Sequence, residues 1–177
     1  MLFRSNGGSL YIDEGKPLPG AIAATARNLK EIAPTIYFNV PKGFEALLPH
    51  LRADAELRRN FFSRLKVLFY AGAGLQQFAW DELQEIGVAT CGERVIFISS
   101  IGSTETSPLA LACNWDFPRP GNIGLPAPGV ELKLVPSEGK LEARLKGPNI
   151  TPGYWRRPDL TADAFDSDGY YRIGDAF

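Results

Sequence analysis

Histidine and cysteine are scarce in this chain. A single histidine, His50, and two cysteines, Cys91 and Cys113, stand among 177 residues. They supply neither a Cys-x-x-Cys zinc site nor a two-histidine relay, and two cysteines make no disulfide framework. An excess of one charge is also lacking, since 19 Lys and Arg face 20 Asp and Glu for a formal net charge of -1. Without a basic surplus the chain has nothing to neutralise a phosphate backbone, so no nucleic-acid partner is expected. Apolar runs such as residues 67–71 and 95–98 are far short of the roughly 20 residues a bilayer demands, so no membrane partner is expected either. The sequence does not open with a basic segment followed by a long apolar one, so no secretory signal is read and the cytoplasm is the expected compartment.

What is present is a hydrophobic share of 45%, with 14 prolines and 18 glycines unevenly placed. That composition describes a globular chain able to bury a core, of about one domain or one domain and part of another. Residues 7–102 alternate strand-like apolar runs with helical periodicity, the signature of α/β layering. Strands are expected at residues 10–12, 35–40, 66–71 and 95–98, those at 35–40 and 66–71 buried. Ile22, Ala26, Leu29 and Ala33 recur at helical spacing, a short helix kinked by Pro49 is expected over 43–51, and Asp54 is a plausible N-cap for a helix reaching Leu65. A further helix is expected over 75–86, with Leu75, Phe78, Leu83 and Ile86 inward and Gly87 as its stop. Strands joined through helices imply parallel pairing by right-handed crossovers.

After Ser107 the texture changes to short extended runs between Gly and Pro clusters. Residues 121–129 read as a rigid loop. Residues 131–135 and 140–145 bracket the turn 137–139 as a β-hairpin, a short helix is expected around 159–165, and a strand at 170–172 follows the Asp168-Gly169 turn. The expected architecture is therefore α/β, a mainly parallel sheet with helices over residues 1–110, followed by a small β-rich subdomain over 111–177. Cys91 and Cys113 are expected to be buried and inert, His50 to be a surface or capping group, Arg156 and Arg157 to lie in a solvated turn, and Phe61, Phe62 and Phe69 to be core.

Ligands of open α/β sheets bind beyond the carboxyl ends of strands, and three segments qualify. Residues 70–74, Tyr-Ala-Gly-Ala-Gly, would let a flat ring or a phosphate approach the backbone, or they are simply a tight strand-to-helix turn. Residues 99–107 carry six hydroxyls and the Glu105 carboxylate, a set able to hold a phosphate and a hard cation, or to form a loop that caps a helix. Residues 171–175 end in Asp175, an acceptor suited to two vicinal hydroxyls, or merely a Gly-Asp turn.

Taken in order, these segments resemble the adenylate-forming acyl-CoA synthetase superfamily, AMP-binding enzymes that include luciferases and peptide-synthetase adenylation domains. IGSTE at 101–105 is similar to the aromatic-Gly-x-Thr-Glu motif, and YRIGD at 171–175 to Tyr-(Arg/Lys)-Thr-Gly-Asp. GNIGLPAPG at 121–129, KGPNITPGYW at 146–155, Asn39-Val40-Pro41 and residues 71–75 match further elements of the family. LYIDEGKPLPG, YFNVPKGFEALLPHL, FFSRLKVLFYAGAGL and GSTETSP most resemble the feruloyl-CoA synthase branch.

That resemblance implies the fold of part of the large N-terminal domain, and a reaction in which an aromatic acid of the hydroxycinnamate type is activated by ATP to an acyl-adenylate and transferred to coenzyme A. It implies that Gly72 and Ala73 pack on adenine and the acyl group, with Ile101 and Gly102 beside them. Ile101 stands where many members place an aromatic ring, and Ile173 replaces the usual Thr. The resemblance further implies that Thr104 reaches the α-phosphate, that Glu105 holds Mg²⁺, and that Asp175 binds ribose, with Thr104 and Glu105 as the catalytic pair. Tyr37, Phe38 and Phe44 fall nearer the family's acyl site.

The family's Thr/Ser/Gly-rich phosphate loop, its acyl-pocket histidine region and the C-terminal domain with its catalytic lysine have no match here. The chain is therefore expected to be an internal piece of a longer enzyme, partnered by missing N-terminal and C-terminal parts and inactive alone. Other readings are a non-catalytic module that binds AMP or an acyl-AMP, a peptide-synthetase adenylation domain, and an interaction role through exposed apolar surface.

Overall fold

In a computed structural model, which describes residues 6–107 and 109–177, the chain forms two compact units, one ending at Ile96 and the other beginning at Phe97. The first unit runs α1 (Ile22–Glu31), β1 (Ile36–Asn39), α2 (Pro41–Ala53), α3 (Ala55–Ser63), β2 (Val67–Tyr70) and α4 (Gln77–Cys91). β1 and β2 pair in parallel, Ile36 opposite Val67 through Asn39 opposite Tyr70, as crossover through helices requires. Its core is Phe44, Leu47, Leu48 and Leu51 of α2, Leu57, Phe61 and Phe62 of α3, Leu68 of β2, and Ala79, Trp80 and Leu83 of α4. Rings interlock edge-to-face, with Tyr37 centred 5.7 Å from Phe44 and 5.2 Å from Phe61. Each fully buried Leu or Phe contributes roughly 1.5–3 kcal/mol by leaving water.

The helix boundaries follow local chemistry. Pro41 sits in the first turn of α2, where a missing N–H costs nothing, so it opens the helix as well as closing β1. Asp54 ends α2 and caps α3 as expected, its Oδ1 accepting from the Glu56 and Leu57 N–H groups, each at 3.0 Å. Gly87 does not stop α4. It lies inside the helix, where a Cβ would come 3.2 Å from Phe62, and the absent side chain lets the two helices meet. The stop is Gly92, which adopts the left-handed conformation at φ 80°. The longer helix turns Ala79, Trp80, Leu83, Gln84 and Gly87 inward and leaves Phe78 57% exposed, where it was expected inside. It also carries Cys91 to an exposed position, against the expectation of burial, whereas Cys113 is buried.

Two strand expectations are corrected. Residues 10–12 join no ladder. The Asp13 carboxylate instead ties the segment to α1, accepting from the Thr25 hydroxyl, from Asn28 Nδ2 at 2.7 Å and from the Gly15 N–H at 3.1 Å. β1 forms where expected but is not buried, since Ile36 and Phe38 are 39% and 47% exposed.

The second unit runs β3 (Ile96–Ile101), a single 3-10 turn (Thr104–Thr106), β4 (Leu111–Cys113), β5 (Leu125–Pro126), β6 (Glu131–Ser137), β7 (Lys140–Lys146), α5 (Pro158–Ala164) and β8 (Tyr171–Ala176). β3 extends three residues beyond its expected end, so Ser99, Ser100 and Ile101 lie in the strand. β4 pairs antiparallel with β3 and with β5, which gives the expected rigid loop 121–129 a two-residue strand. A separate antiparallel sheet has the order β6-β7-β8. Its hairpin closes over Glu138 and Gly139, both at positive φ (48° and 79°), the two-residue geometry whose twist suits antiparallel strands. Ala110, Leu111 and Leu145 form this unit's buried cluster, flanked by Ile101, Ile123, Val130, Leu132, Ile150 and Ile173.

Candidate functional site

In the first unit, β2 leads through Ala71, Gly72, Ala73 and Gly74 into α4. Leu75 is buried and anchors the turn, while Gly72, at φ 86°, Ala73 and Gly74 are exposed. Open space lies where a Cβ on Gly72 or Gly74 would stand, so a planar or anionic group can reach this backbone. The same unit holds a cavity of about 980 Å³ lined by residues 7–13, one face of α1, β1 and Arg64. Tyr37 and Phe38 line it, and Gly72 and Ala73 do not. Burial pushes the Tyr37 phenol up to about 12, and Asn39 Nδ2 donates to its oxygen at 2.8 Å.

In the second unit, β3 delivers Ile101 and Gly102 to the 3-10 turn. Ile101 packs on the cluster of Ala110, Leu111 and Leu145. Thr106 is fully buried and pins the turn, its Oγ1 accepting from the Ser103 N–H at 2.8 Å and donating to the Ser103 carbonyl at 3.1 Å. Thr104 is exposed, and Glu105 beside it is half-buried. Glu105 Oε1 accepts from the Tyr154 hydroxyl at 2.9 Å. The Glu105 backbone N–H and this hydroxyl hold the carboxyl below its ordinary value, so it is ionised at neutral pH. The neighbouring Tyr171 first, and Glu105, push the Tyr154 phenol well above the usual range.

Sequence reasoning assigned no role to residues 149–154, yet they hold this turn. The Thr151 N–H donates to the Glu105 carbonyl at 2.8 Å, Asn149 Nδ2 donates to the carbonyls of Thr106 at 2.9 Å and Leu109 at 2.7 Å, and the Ser107 hydroxyl donates to the Asn149 carbonyl at 2.8 Å. The signal available was the motif KGPNITPGYW, whose polar residues had no stated partners. Tyr154 therefore fastens the segment 149–154 to one of the predicted segments, the Thr104-Glu105 turn.

Asp175 lies near the end of β8 and is exposed. Between the pairs Arg144 with Arg172 and Glu142 with Ala176, Ala143 alone faces Ile173, Gly174 and Asp175. This bulge, with Gly174 at φ 85°, redirects the strand where Asp175 sits.

Among the described residues no group of three His, Cys, Asp or Glu side chains converges to hold a metal. A single ionised carboxylate beside a hydroxyl is instead the donor set that suits Mg²⁺ arriving with substrate phosphates, since that ion keeps most of its other ligands from phosphate and water. The residues present fit that cation. No helix among the described residues is long and apolar enough to cross a membrane.

Residues 1–155 match the family described as AMP-binding enzyme. The chain belongs to that family. It is 30% identical to an anthranilate–CoA ligase of Pseudomonas aeruginosa over 97% of its own length and 31% of that protein. Among solved structures, a malonyl-CoA ligase with methylmalonyl-CoA and AMP bound is 35% identical at a TM-score of 0.66, covering 88% of this chain and 33% of that one. The anthranilate CoA ligase AuaEII in complex with anthranoyl-AMP is 27% identical at a TM-score of 0.64, covering 87% of this chain and 32% of that one. The chain thus spans about a third of the length of the AMP-binding enzymes it matches, and its mixed α/β fold is that of part of such a ligase.

Proposed function

We propose that the whole protein is an ATP-dependent acyl-CoA ligase that converts a carboxylic acid to its acyl-adenylate and passes the acyl group to coenzyme A. The observation that carries this reading is the Thr104-Glu105 pair, an exposed hydroxyl beside an ionised carboxylate on a pinned turn, in a chain of the AMP-binding family. Gly72 and Ala73 would pass their open backbone close to adenine and the acyl group, and Ile101 and Gly102 are proposed as nucleotide-binding residues as well. Thr104 would donate its hydroxyl to the α-phosphate, Asp175 would accept from the ribose hydroxyls, and Glu105 would hold Mg²⁺. A bound Mg²⁺ offsets negative charge on the phosphate oxygens as the α-phosphorus is attacked. Before that, Thr104 and Asp175 orient the nucleotide.

The acid is proposed to be aromatic, of the hydroxycinnamate type. Support for the aromatic class is the relative named for anthranilate, and support for the hydroxycinnamate branch is the sequence segments alone, since other relatives are named for malonate and for long-chain fatty acids. The chain by itself is proposed to bind nucleotide weakly at most, without turnover.

Calorimetry with AMP and Mg²⁺ on this chain tests the nucleotide roles. Saturable heat that is lost in Thr104→Ala and in Asp175→Ala supports them, and no heat at millimolar AMP overturns them. For the acid, adenylate formation by the full-length protein is compared across hydroxycinnamate, anthranilate, malonate and a long-chain fatty acid. A preference for any of the last three overturns the hydroxycinnamate assignment.

A further inference from the structure

Glu105 sits on one isolated 3-10 turn, which by itself leaves its side chain free to rotate. A carboxylate offers about four lone-pair sites, and a cation that uses one of them needs the group held in a single orientation. The Tyr154 hydroxyl supplies that restraint by donating to Oε1 at 2.9 Å. Tyr154 is fixed in turn. Its backbone N–H donates to Thr161 Oγ1 at 2.9 Å, and Gly153, where a Cβ would fall 2.5 Å from Thr161 Cγ2, lets the chain press against α5. The adjoining Thr151 N–H holds the Glu105 carbonyl at 2.8 Å, so side chain and backbone of Glu105 are fastened by the same short segment.

We propose that Tyr154 is the positioning residue for Glu105, holding one carboxylate oxygen so that the remaining lone pairs face a nucleotide-borne divalent cation in one fixed direction. This rests on the reading of Glu105 as the carboxylate that meets that cation. The chemistry favours a phenol in this place. A neutral donor orients the carboxylate and leaves its negative charge for the cation, whereas a Lys or Arg would neutralise it. Hydrogen-bond partners behind a metal ligand are worth about 10- to 100-fold in metal affinity when removed.

The test titrates Mn²⁺ into the chain with saturating AMP, read by the loss of the free Mn²⁺ electron paramagnetic resonance signal. Native protein is compared with Tyr154→Phe, Glu105→Gln and the double variant. Metal-free AMP binding and the thermal midpoint are measured for each. The expected result is that Tyr154→Phe raises the Mn²⁺ half-saturation about 10-fold, leaves metal-free AMP binding and the midpoint unchanged, and adds nothing in the double variant beyond Glu105→Gln. Tyr171→Phe, which removes a neighbouring phenol and leaves the Glu105–Tyr154 hydrogen bond in place, is expected to keep native Mn²⁺ affinity.

If Glu105→Gln loses Mn²⁺ while Tyr154→Phe binds it like the native chain, the positioning role is overturned and the cation reading stands. The positioning role is equally overturned if Tyr154→Phe weakens metal-free AMP binding and lowers the midpoint together, or if Tyr171→Phe loses as much Mn²⁺ affinity. If Glu105→Gln binds Mn²⁺ as the native chain does, or the native chain takes none, the cation reading falls and the inference falls with it.

Discussion

The Gln84 side chain pairs with both backbone hydrogen-bonding groups of Val95. The amide of Gln84 donates from Nε2 to the Val95 carbonyl at 2.7 Å and accepts from the Val95 N–H at 3.2 Å, with both residues buried. This side chain does for Val95 what a neighbouring strand would do, just before β3 begins. Replacing it with leucine strands two buried backbone groups. Gln84→Leu is expected to lose about 2–4 kcal/mol, read as a lower urea midpoint at an unchanged slope. A loss under about 0.5 kcal/mol, the ordinary scale of surface changes, would show that water already serves Val95.

Gly124 and Gly139 both have positive φ, but only one is hemmed in. A Cβ on Gly124 would lie 1.7 Å from the Ala112 carbonyl oxygen, against the β4 backbone that pairs with β5, whereas nothing stands within 4 Å of one on Gly139. Gly124→Ala is expected to cost about 3 kcal/mol or more, combining backbone strain with overpacking, while Gly139→Asn costs about 1 kcal/mol or less. Thermal denaturation of the two variants side by side gives the order, and equal losses would contradict it.

Asp166 makes the second unit acid-sensitive. Its side chain is 4% exposed and accepts from the Tyr170 and Asp168 N–H groups, from Lys133 at 3.0 Å and from Arg144 at 3.1 Å. The Tyr170 N–H first, then these cations, hold its carboxyl far below the ordinary value. A carboxyl depressed in the folded state contributes stability above its unfolded value near 4, and that contribution is lost as pH falls toward the folded one. Asp166→Asn is therefore expected to be less stable than the native chain at pH 7, with the gap narrowing only below about pH 4. A gap that stays constant from pH 7 to pH 3 would assign the effect to hydrogen-bond geometry instead of charge.

Asp54 offers a local test. It caps α3 through two backbone N–H groups and also meets Lys30 at 3.0 Å. Asp54→Ala is expected to lose about 1 kcal/mol, and Asp54→Asn about half of that or less, because the cap is retained and only an exposed ion pair is removed. Chemical denaturation resolves the two, and equal losses would make the ion pair the larger contributor.

What was legible in the sequence was local. The Asp54 cap acts within three residues, the hairpin turn within two, and the parallel pairing of β1 with β2 follows from the helices between them. Gly87 misled because a glycine after an amphipathic run reads as a stop, and its actual partner, Phe62, lies on another helix. Residues 10–12 are a short apolar run that reads as a strand, yet they pair with none and the next residue, Asp13, binds α1 instead. At the site, the hydroxyl and carboxylate of residues 104 and 105 could be picked out by chemical type, whereas the hold of Tyr154 and Asn149 on them is a tertiary fact that no local pattern encodes.

The span of the Glu105–Tyr154 hydrogen bond, 49 residues, sets when the site can exist. The β6–β7 hairpin closes over two residues and can assemble within microseconds, while the 3-10 turn gains its support only after a much larger loop has closed. On the ribosome the segment bearing Glu105 emerges well before Tyr154 is made, so the nascent chain carries the carboxylate without its restraint. The hydrogen bond that orients the Glu105 carboxylate thus waits on the closure of a 49-residue loop, whereas the hairpin beside it needs only a local turn.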